Sequence, residues 1–185
     1  MRKKLKVFVA MSGGVDSSVA ALLLKKQGYD LVGCYIKGWY PPGVVCNWRE
    51  DRRDAMRACA QLGIPFITID AEKEYKKEVA DYMIREYKIG RTPNPDIMCN
   101  KSIKFGVFLK KALAMGADYI ATGHYVCLKR NLKNKNSRPQ RSSAAMAGAA
   151  NLKNYALAIA KDTSKDQSYF LWTLTQGQLK CCLFP

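Results

Sequence analysis

The stretch "VFVAMSGGVDSSVAALLL", residues 7–24, joins a short apolar run to a run of good helix formers through a Ser-Gly-Gly turn. The apolar run is typical of a buried parallel strand. The turn region holds two glycines and the side-chain oxygens of Ser12, Asp16, Ser17 and Ser18, but no lysine. A glycine-rich turn before a helix N-terminus indicates an anion site, because backbone N–H groups and the helix dipole both favour a phosphate there.

The rest of the first 127 residues alternates apolar runs with helix-forming stretches. This alternation predicts βαβ units, and therefore an α/β fold with a doubly wound parallel sheet and helices on both faces, as in Rossmann-like and adenine nucleotide alpha hydrolase-like domains. Ligands of such sheets bind at the carboxyl ends of the strands. Strands are predicted over residues 6–11, 29–37, 64–70 and 117–125, helices over residues 17–28, 50–63, 71–90 and 101–116, and turn-rich loops over residues 38–48 and 91–100.

The composition changes after the fourth predicted strand. Residues 128–154 are basic, then rich in Ser, Ala and Gly, without any period, so we interpret them as a mobile low-complexity loop. We expect a nucleotide-binding domain over residues 1–127 and the end of the same domain over residues 155–185. Thr175 and Gln178 have the spacing of a capping box, which predicts a last short helix.

The charge balance of the chain is strongly basic. Its 185 residues include 31 Lys and Arg against 15 Asp and Glu, a formal net charge of +16, which predicts an anionic partner such as nucleic acid or a polyphosphate. Seven cysteines without a CxxC pair argue against a zinc site or a secreted disulfide scaffold. The apolar run after the basic start is too short for a signal peptide, and no run is long enough to cross a membrane. We therefore expect a cytoplasmic protein with reduced thiols and no membrane partner.

The glycine turn is not a Walker A loop, because that motif needs a lysine on the terminal phosphates. "SGGVDS", residues 12–17, resembles the pyrophosphate loop of the ATP pyrophosphatase superfamily, whose members release pyrophosphate and adenylate a substrate. The resemblance implies ATP as cofactor and a role for Asp16 in holding Mg²⁺, which neutralises the leaving pyrophosphate. The structural alternative is a plain helix cap formed by Asp16 or Ser17.

Three further segments are similar to the tRNA-specific 2-thiouridylase family and occur in its order. They are "RTPNPDIMCNKSIKFG" (91–106), "ADYIATGHY" (117–125) and "KDQSYFLWTL" (165–174). Members of that family make the 2-thio group on the wobble uridine of certain tRNAs by adenylating the base and transferring sulfur from a cysteine persulfide. The resemblance therefore implies tRNA and a persulfide sulfur-donor protein as partners.

The resemblance also implies roles for individual residues. It implies ATP contacts at Ala10, Met11, Ser12, Gly13, Gly14, Val15, Asp16, Ser17, Ile36 and Gly123. It implies contacts with the target base or with tRNA at Asn94, Pro95, Asp96, Lys165, Asp166 and Gln167. Cys99 would be a catalytic cysteine, which in the family closes a disulfide with the persulfide-carrying cysteine.

The chemistry of the base agrees with these roles. A uracil carbonyl oxygen is a poor leaving group, and its adenylation makes AMP the leaving group when sulfur attacks ring carbon 2. Asp96 precedes Cys99 by three residues, so a turn would place a carboxylate beside the thiol as an acid/base partner. A helix beginning near Asn100 is expected to favour the thiolate of Cys99. His124, the single histidine, is assigned no proton-transfer role.

The sequence also departs from the family. No second cysteine motif matches the sulfur carrier, and the adjacent Cys181 and Cys182 do not replace it. The family's central and C-terminal tRNA-binding domains have no counterpart either. We therefore expect an N-terminal catalytic fragment that does not make 2-thiouridine by itself. Two alternatives stay open: another pyrophosphate-loop tRNA-modifying or amidating ligase, and a non-catalytic module that binds ATP and RNA.

Overall fold

The computed structural model describes residues 4–44, 46–131 and 154–185, so most of the predicted low-complexity loop lies outside the described residues. The described strands are β1 (Lys6–Ala10), β2 (Asp30–Lys37), β3 (Phe66–Asp70), β4 (Tyr119–Ala121), β5 (Cys127–Asn131), β6 (Asn154–Ala158) and β7 (Cys182–Leu183). Five of them form a sheet in the order β3-β2-β1-β4-β7, in which every pair of neighbours is parallel.

Two long helical rods in this fold contain stretches of π-helix. The α-helices are α1 (Val15–Lys26), α2 (Trp48–Gln61), α3 (Glu72–Tyr75), α4 (Asp81–Lys88), α5 (Pro95–Met98), α6 (Leu109–Ala114) and α7 (Gln176–Leu179). A π-helical segment over Lys76–Ala80 joins α3 to α4, and another over Cys99–Phe108 joins α5 to α6. Each of these joined elements runs without a break, and we call them the first rod (residues 72–88) and the second rod (residues 95–114).

Both faces of the sheet are covered by helices, as the sequence predicts. On one face Phe8 of β1 packs in a cluster with Phe105 and Phe108 from the second rod. On the other face Val7 and Val9 pack with residues of α1 and α2. Because successive side chains of a strand point to opposite faces, the continuous apolar run of β1 supplies both cores. The prediction of a doubly wound parallel sheet is confirmed.

The order of the strands places a crevice beside β1. The chain runs from β1 outward through β2 to β3 and then returns to β4 on the other side of β1. Val9 of β1 is thus paired with Gly33 of β2 and with Ala121 of β4. The loops that leave β1 and β4 diverge at this switch point, which is where open α/β sheets bind their ligands.

Two element boundaries differ from the predicted ones. Helix α5 begins at Pro95, inside the predicted loop 91–100, because the Asn94 side chain accepts a hydrogen bond from Ile97 N at 3.1 Å and caps it. Strand β4 ends at Ala121, four residues earlier than predicted. The segment 122–125 therefore leaves the sheet and enters the crevice.

The predicted loop 128–154 is wrong at its first residues. Residues 127–131 form β5, which pairs antiparallel with β6, so that Leu128 lies opposite Leu157. The remaining residues of that prediction, 132–153, lie outside the described residues. The predicted capping box of α7 is confirmed, since Gln178 N donates to Thr175 Oγ1 at 3.3 Å and Thr175 N donates to Gln178 Oε1 at 2.8 Å. In the described part of the chain, the helices lack the length and apolar character needed to cross a bilayer.

The absence of a side chain at Gly33 lets α2 pack against β2. A Cβ at this position would overlap the Sγ atom of Cys59 and lie 3.3 Å from Met11 Cγ. We expect Gly33→Ala to lower the free energy of unfolding by about 1–3 kcal/mol, the usual cost of overpacking a core. Urea unfolding measures this change, and adding Cys59→Ala to the variant should restore part of the loss. An unchanged urea midpoint would contradict this packing.

Candidate functional site

The glycine turn is shaped by its own serines. Ser17 Oγ donates to the Gly14 carbonyl at 3.1 Å and accepts from Ser12 N at 3.2 Å, and Ser18 Oγ donates to the same carbonyl at 3.0 Å. Gly14 is the N-cap of α1, and in the described structure this cap has no side-chain hydrogen bond. The alternative of a plain cap by Asp16 or Ser17 is therefore wrong. Without a side-chain cap, the helix N-terminus keeps its affinity for an anion.

A cavity of about 370 Å³ opens at the carboxyl ends of β1, β2 and β4. Of the predicted site residues, it is lined by Ala10, Met11, Ser12, Asp16, Ser17, Ile36, Gly123 and Gln167. It is also lined by Tyr35, Asp51, Lys104, Thr122 and His124. The cavity joins six separate parts of the sequence in one concave space of the size that small ligands occupy.

Two glycines allow the walls of this cavity to approach each other. A Cβ on Gly123 would lie 2.8 Å from Asp16 C and from Ser17 N, so the loop after β4 lies directly on the first turn of α1. Gly13 has a φ of +90°, and a Cβ there would lie 2.5 Å from the Asp51 carbonyl oxygen. The close approach of Gly13 and the Asp51 carbonyl places the start of α2 over the turn and brings the Asp51 side chain to the cavity.

Other predicted ATP contacts lie beside the cavity. Gly13 and Gly14 form the turn itself, without lining the space. Val15 is 76% exposed and lines a second cavity, of about 520 Å³, together with Val19 and Leu23 of α1. Within the turn 12–17, Ser12, Asp16 and Ser17 thus face the first cavity, whereas Gly13, Gly14 and Val15 do not.

Two carboxylates, Asp16 and Asp51, line the first cavity. Carboxylate oxygens are the ligands that Mg²⁺ prefers, and this ion commonly takes its other ligands from water and phosphate. The described residues contain no group of three or more His, Cys, Asp and Glu arranged for a metal ion. The donor set therefore fits a cation bound together with a polyphosphate and does not form an all-protein metal cage.

The segment 165–167 is attached to the rim of the cavity. Gln167 N donates to the Tyr125 carbonyl at 2.9 Å, and Tyr125 N donates to Gln167 Oε1 at 3.1 Å. Lys165 Nζ lies 5.5 Å from the centre of the Tyr125 ring. The Asp166 carboxylate accepts from Ser168 Oγ at 2.6 Å and Ala160 N at 2.9 Å, and these hydrogen bonds lower its pKa. Asp166 thus holds its own loop, while Gln167 faces the cavity.

Cys99 lies next to the cavity without lining it. It belongs to an apolar cluster with Ile36, Tyr75 and Ile103, and Ile36 also lines the cavity. Burial raises the pKa of the Cys99 thiol, the Lys104 charge opposes this, and the Asp96 charge adds to it. The prediction that a helix start favours the Cys99 thiolate is wrong. The helix begins at Pro95, four residues before Cys99, and burial has the largest effect on the pKa of the thiol.

Lys104 is a site residue that the sequence analysis misses. In a π-helix the N–H of each residue bonds to the carbonyl five residues earlier, so Lys104 lies above Cys99 on one side of the rod. In a regular α-helix the same two residues would point about 140° apart. Lys104 also lines the cavity and supplies a positive charge that the glycine turn lacks.

His124 lines the cavity as a neutral imidazole. Its Nδ1 lies 2.8 Å from Thr122 Oγ1, and burial, aided by the Lys104 charge, lowers its pKa to about 3. The ring is therefore uncharged at neutral pH and does not compete with Lys104 for an anion.

The lowered pKa of His124 makes stability depend on pH. Between about pH 6.5 and pH 3 the unfolded chain binds a proton that the folded chain does not, so stability falls as the pH falls. We expect the wild type to lose at least about 1 kcal/mol more than His124→Gln between pH 7 and pH 4. Urea unfolding at both pH values measures this, and the carboxylates common to both proteins serve as the internal control. Equal losses would contradict the buried neutral imidazole.

These features define a class of protein: an α/β domain of the HUP type with a glycine-rich loop at the switch point of its parallel sheet. Residues 5–185 match the family described as "tRNA methyl transferase HUP domain", and the chain therefore belongs to this family.

Curated relatives carry a more specific name. The tRNA-specific 2-thiouridylase MnmA of Christiangramia forsetii is 49% identical over 184 residues, which cover 97% of this chain and 42% of that protein. The proteins of the same name from Flavobacterium johnsoniae and Halalkalibacterium halodurans are each 48% identical and are covered to 42% and 44%. The predicted resemblance is confirmed, and the chain spans less than half the length of these relatives.

Two solved structures are similar to part of this chain. A predicted subunit of a tRNA methyltransferase from Methanocaldococcus jannaschii has a TM-score of 0.45 at 22% identity, over 73% of this chain and 58% of that one. The U34-tRNA thiolase NcsA from Methanococcus maripaludis has a TM-score of 0.47 at 20% identity, over 66% and 39%.

Proposed function

We propose that this chain is the ATP-binding and base-adenylating part of a tRNA-uridine 2-sulfurtransferase. One observation carries the proposal: Ile36, which lines the cavity together with residues of the turn 12–17, belongs to the same apolar cluster as Cys99. An anion site in a cavity and a cysteine next to that cavity suit a reaction that activates a base and then replaces its oxygen by sulfur. The name of the curated relatives supports the same reaction.

The proposed ATP site is the cavity at the end of β1. The turn from Ser12 to Ser17 would bind the phosphates, Ile36 would contact the adenine, and Gly123 would touch the nucleotide. Asp16 and Asp51 would hold Mg²⁺, which when bound neutralises charge on the leaving pyrophosphate. Lys104 lines the same cavity and would stabilise the negative charge that develops during adenylation.

The proposed site for the target base adjoins the second rod. Asn94, Pro95 and Asp96 would meet the uracil, whose carbonyl oxygen attacks the α-phosphorus of ATP and expels pyrophosphate. A persulfide sulfur then attacks ring carbon 2, and AMP leaves with the original oxygen. Cys99 would close a disulfide with the sulfur-carrying cysteine and release the product, with Asp96 as its acid/base partner.

The proposed partners are tRNA and a persulfide sulfur-donor protein. The net charge of +16 supports a polyanionic partner, and Lys165 and Gln167 lie at the rim of the cavity where a tRNA would enter. In this proposal Asp166 acts by holding the loop that presents these two side chains.

The products of ATP cleavage test this proposal. We expect AMP and pyrophosphate, formed faster with a tRNA that has uridine at the wobble position than with the same tRNA carrying cytidine there. We expect no 2-thiouridine in the digested tRNA, because no cysteine in this sequence matches the sulfur carrier. Formation of ADP would contradict the proposal, and equal stimulation by both tRNAs would favour another ligase. ATP binding without turnover would favour a non-catalytic module.

A further inference from the structure

Asp16 of the turn is held by a tyrosine from the loop that follows the neighbouring strand β4. The Tyr125 hydroxyl donates a hydrogen bond to Asp16 Oδ1 at 2.8 Å, although the two residues are 109 positions apart in the sequence. Asp16 is exposed, and its carboxylate therefore needs a partner to keep one orientation. The hydroxyl of Tyr125 provides that partner.

The backbone of Tyr125 is fixed on both sides. Its N–H and its carbonyl both bond to Gln167, at 3.1 and 2.9 Å, which ties the residue to the segment 165–167. Two residues earlier, Gly123 lies against the Asp16–Ser17 peptide so closely that a Cβ there would be 2.8 Å from it. The phenol of Tyr125 therefore reaches Asp16 from a backbone segment that cannot easily shift relative to α1.

A neutral donor suits a carboxylate that serves a cation. A lysine or arginine at this place would neutralise Asp16 and compete with a metal ion for it. The phenol restrains Oδ1 and leaves the negative charge and the other oxygen available. We propose that Tyr125 is a positioning residue, which fixes the Asp16 carboxylate for a divalent cation bound together with a polyphosphate. This inference rests on the proposed binding of ATP.

The variant Tyr125→Phe removes only the hydroxyl. We expect the affinity for ATP in the presence of Mg²⁺ to fall about three- to tenfold, as the net contribution of one ordinary hydrogen bond predicts. Without Mg²⁺, in EDTA, the affinity for ATP should stay that of the wild type. Calorimetric titration of the full chain measures both values. Tyr29→Phe is the matched control, because Tyr29 lies just before β2, at the amino-terminal ends of the strands and away from the cavity.

A double-mutant cycle separates positioning from a structural effect. In an Asp16→Ala background, Tyr125→Phe should have no further effect on the Mg²⁺-dependent affinity, because the two residues act through one interaction. A loss of affinity that is equal with and without Mg²⁺, or that persists in the Asp16→Ala background, would overturn the inference. So would wild-type affinity of Tyr125→Phe at saturating Mg²⁺. If the wild type itself does not bind ATP, the proposed function fails instead.

Discussion

Replacing Asp16 with alanine is expected to lower the affinity of the chain for ATP in the presence of Mg²⁺ about 10- to 100-fold. The Asp16 side chain lines the cavity, and it places a negative charge in the first turn of α1, next to the glycine turn. Removing a charged partner of a bound ion costs about 1.5–3 kcal/mol, which corresponds to that range. Calorimetric titration with ATP, with Mg²⁺ and in EDTA, measures the effect.

The effect of Asp16→Ala should depend on the metal ion. In EDTA the variant should bind ATP as well as the wild type or slightly better, because a negative charge beside the phosphates has been removed. Asp30→Ala removes an exposed carboxylate at the amino-terminal end of β2, far from the cavity, and is the control for net charge. Equal affinity of Asp16→Ala and the wild type in Mg²⁺ would remove Asp16 from the site.

The second large effect is expected at Gly123. In Gly123→Ala the new methyl group would lie 2.8 Å from Asp16 C and Ser17 N, and backbone atoms cannot rotate away as a side chain can. The loop after β4 must then separate from α1, which widens the cavity where the nucleotide would bind. We expect the affinity for ATP to fall at least about tenfold, since the loss of even one well-placed contact has that size.

A change at Gly123 should leave the fold intact. The residue follows the last residues of β4 and is only partly buried, so the sheet itself need not move. Gly177→Ala is the matched control, because a Cβ at Gly177 would be 3.9 Å from its nearest neighbour, Thr175 Oγ1. ATP affinity of Gly123→Ala equal to that of the control would contradict the close packing of the loop on α1.

The sequence predicted those parts of the site that follow from local pattern. The strand before Ser12, the glycine turn and α1 all have short-range signals, and parallel strands bring their carboxyl ends to one edge. Gly123 and Ile36 were assigned from the family resemblance, and their positions at strand ends agree with that edge of the sheet. Asn94 was predicted to lie in a loop, because residues 91–100 have a turn-rich composition. In the structure its side chain caps a helix that begins at Pro95.

The residues that were missed depend on geometry that no local pattern carries. Lys104 joins Cys99 because the rod is π-helical there, whereas the sequence was interpreted with a period of 3.6. Asp51 reaches the cavity because Gly13 allows the start of α2 to approach. Such contacts between distant segments require the folded structure.

The most direct test of the central claim is the transfer of the α-phosphate of ATP to tRNA. The chain is incubated with Mg²⁺, wobble-uridine tRNA and ATP labelled at the α-phosphorus, without a sulfur donor, and the tRNA is then isolated under denaturing conditions. We predict label on the tRNA as a bound adenylate at the wobble nucleotide, none on the wobble-cytidine tRNA, and none with Asp16→Ala. The claim would be contradicted if AMP formed at the same rate with and without tRNA and no label became attached to the tRNA.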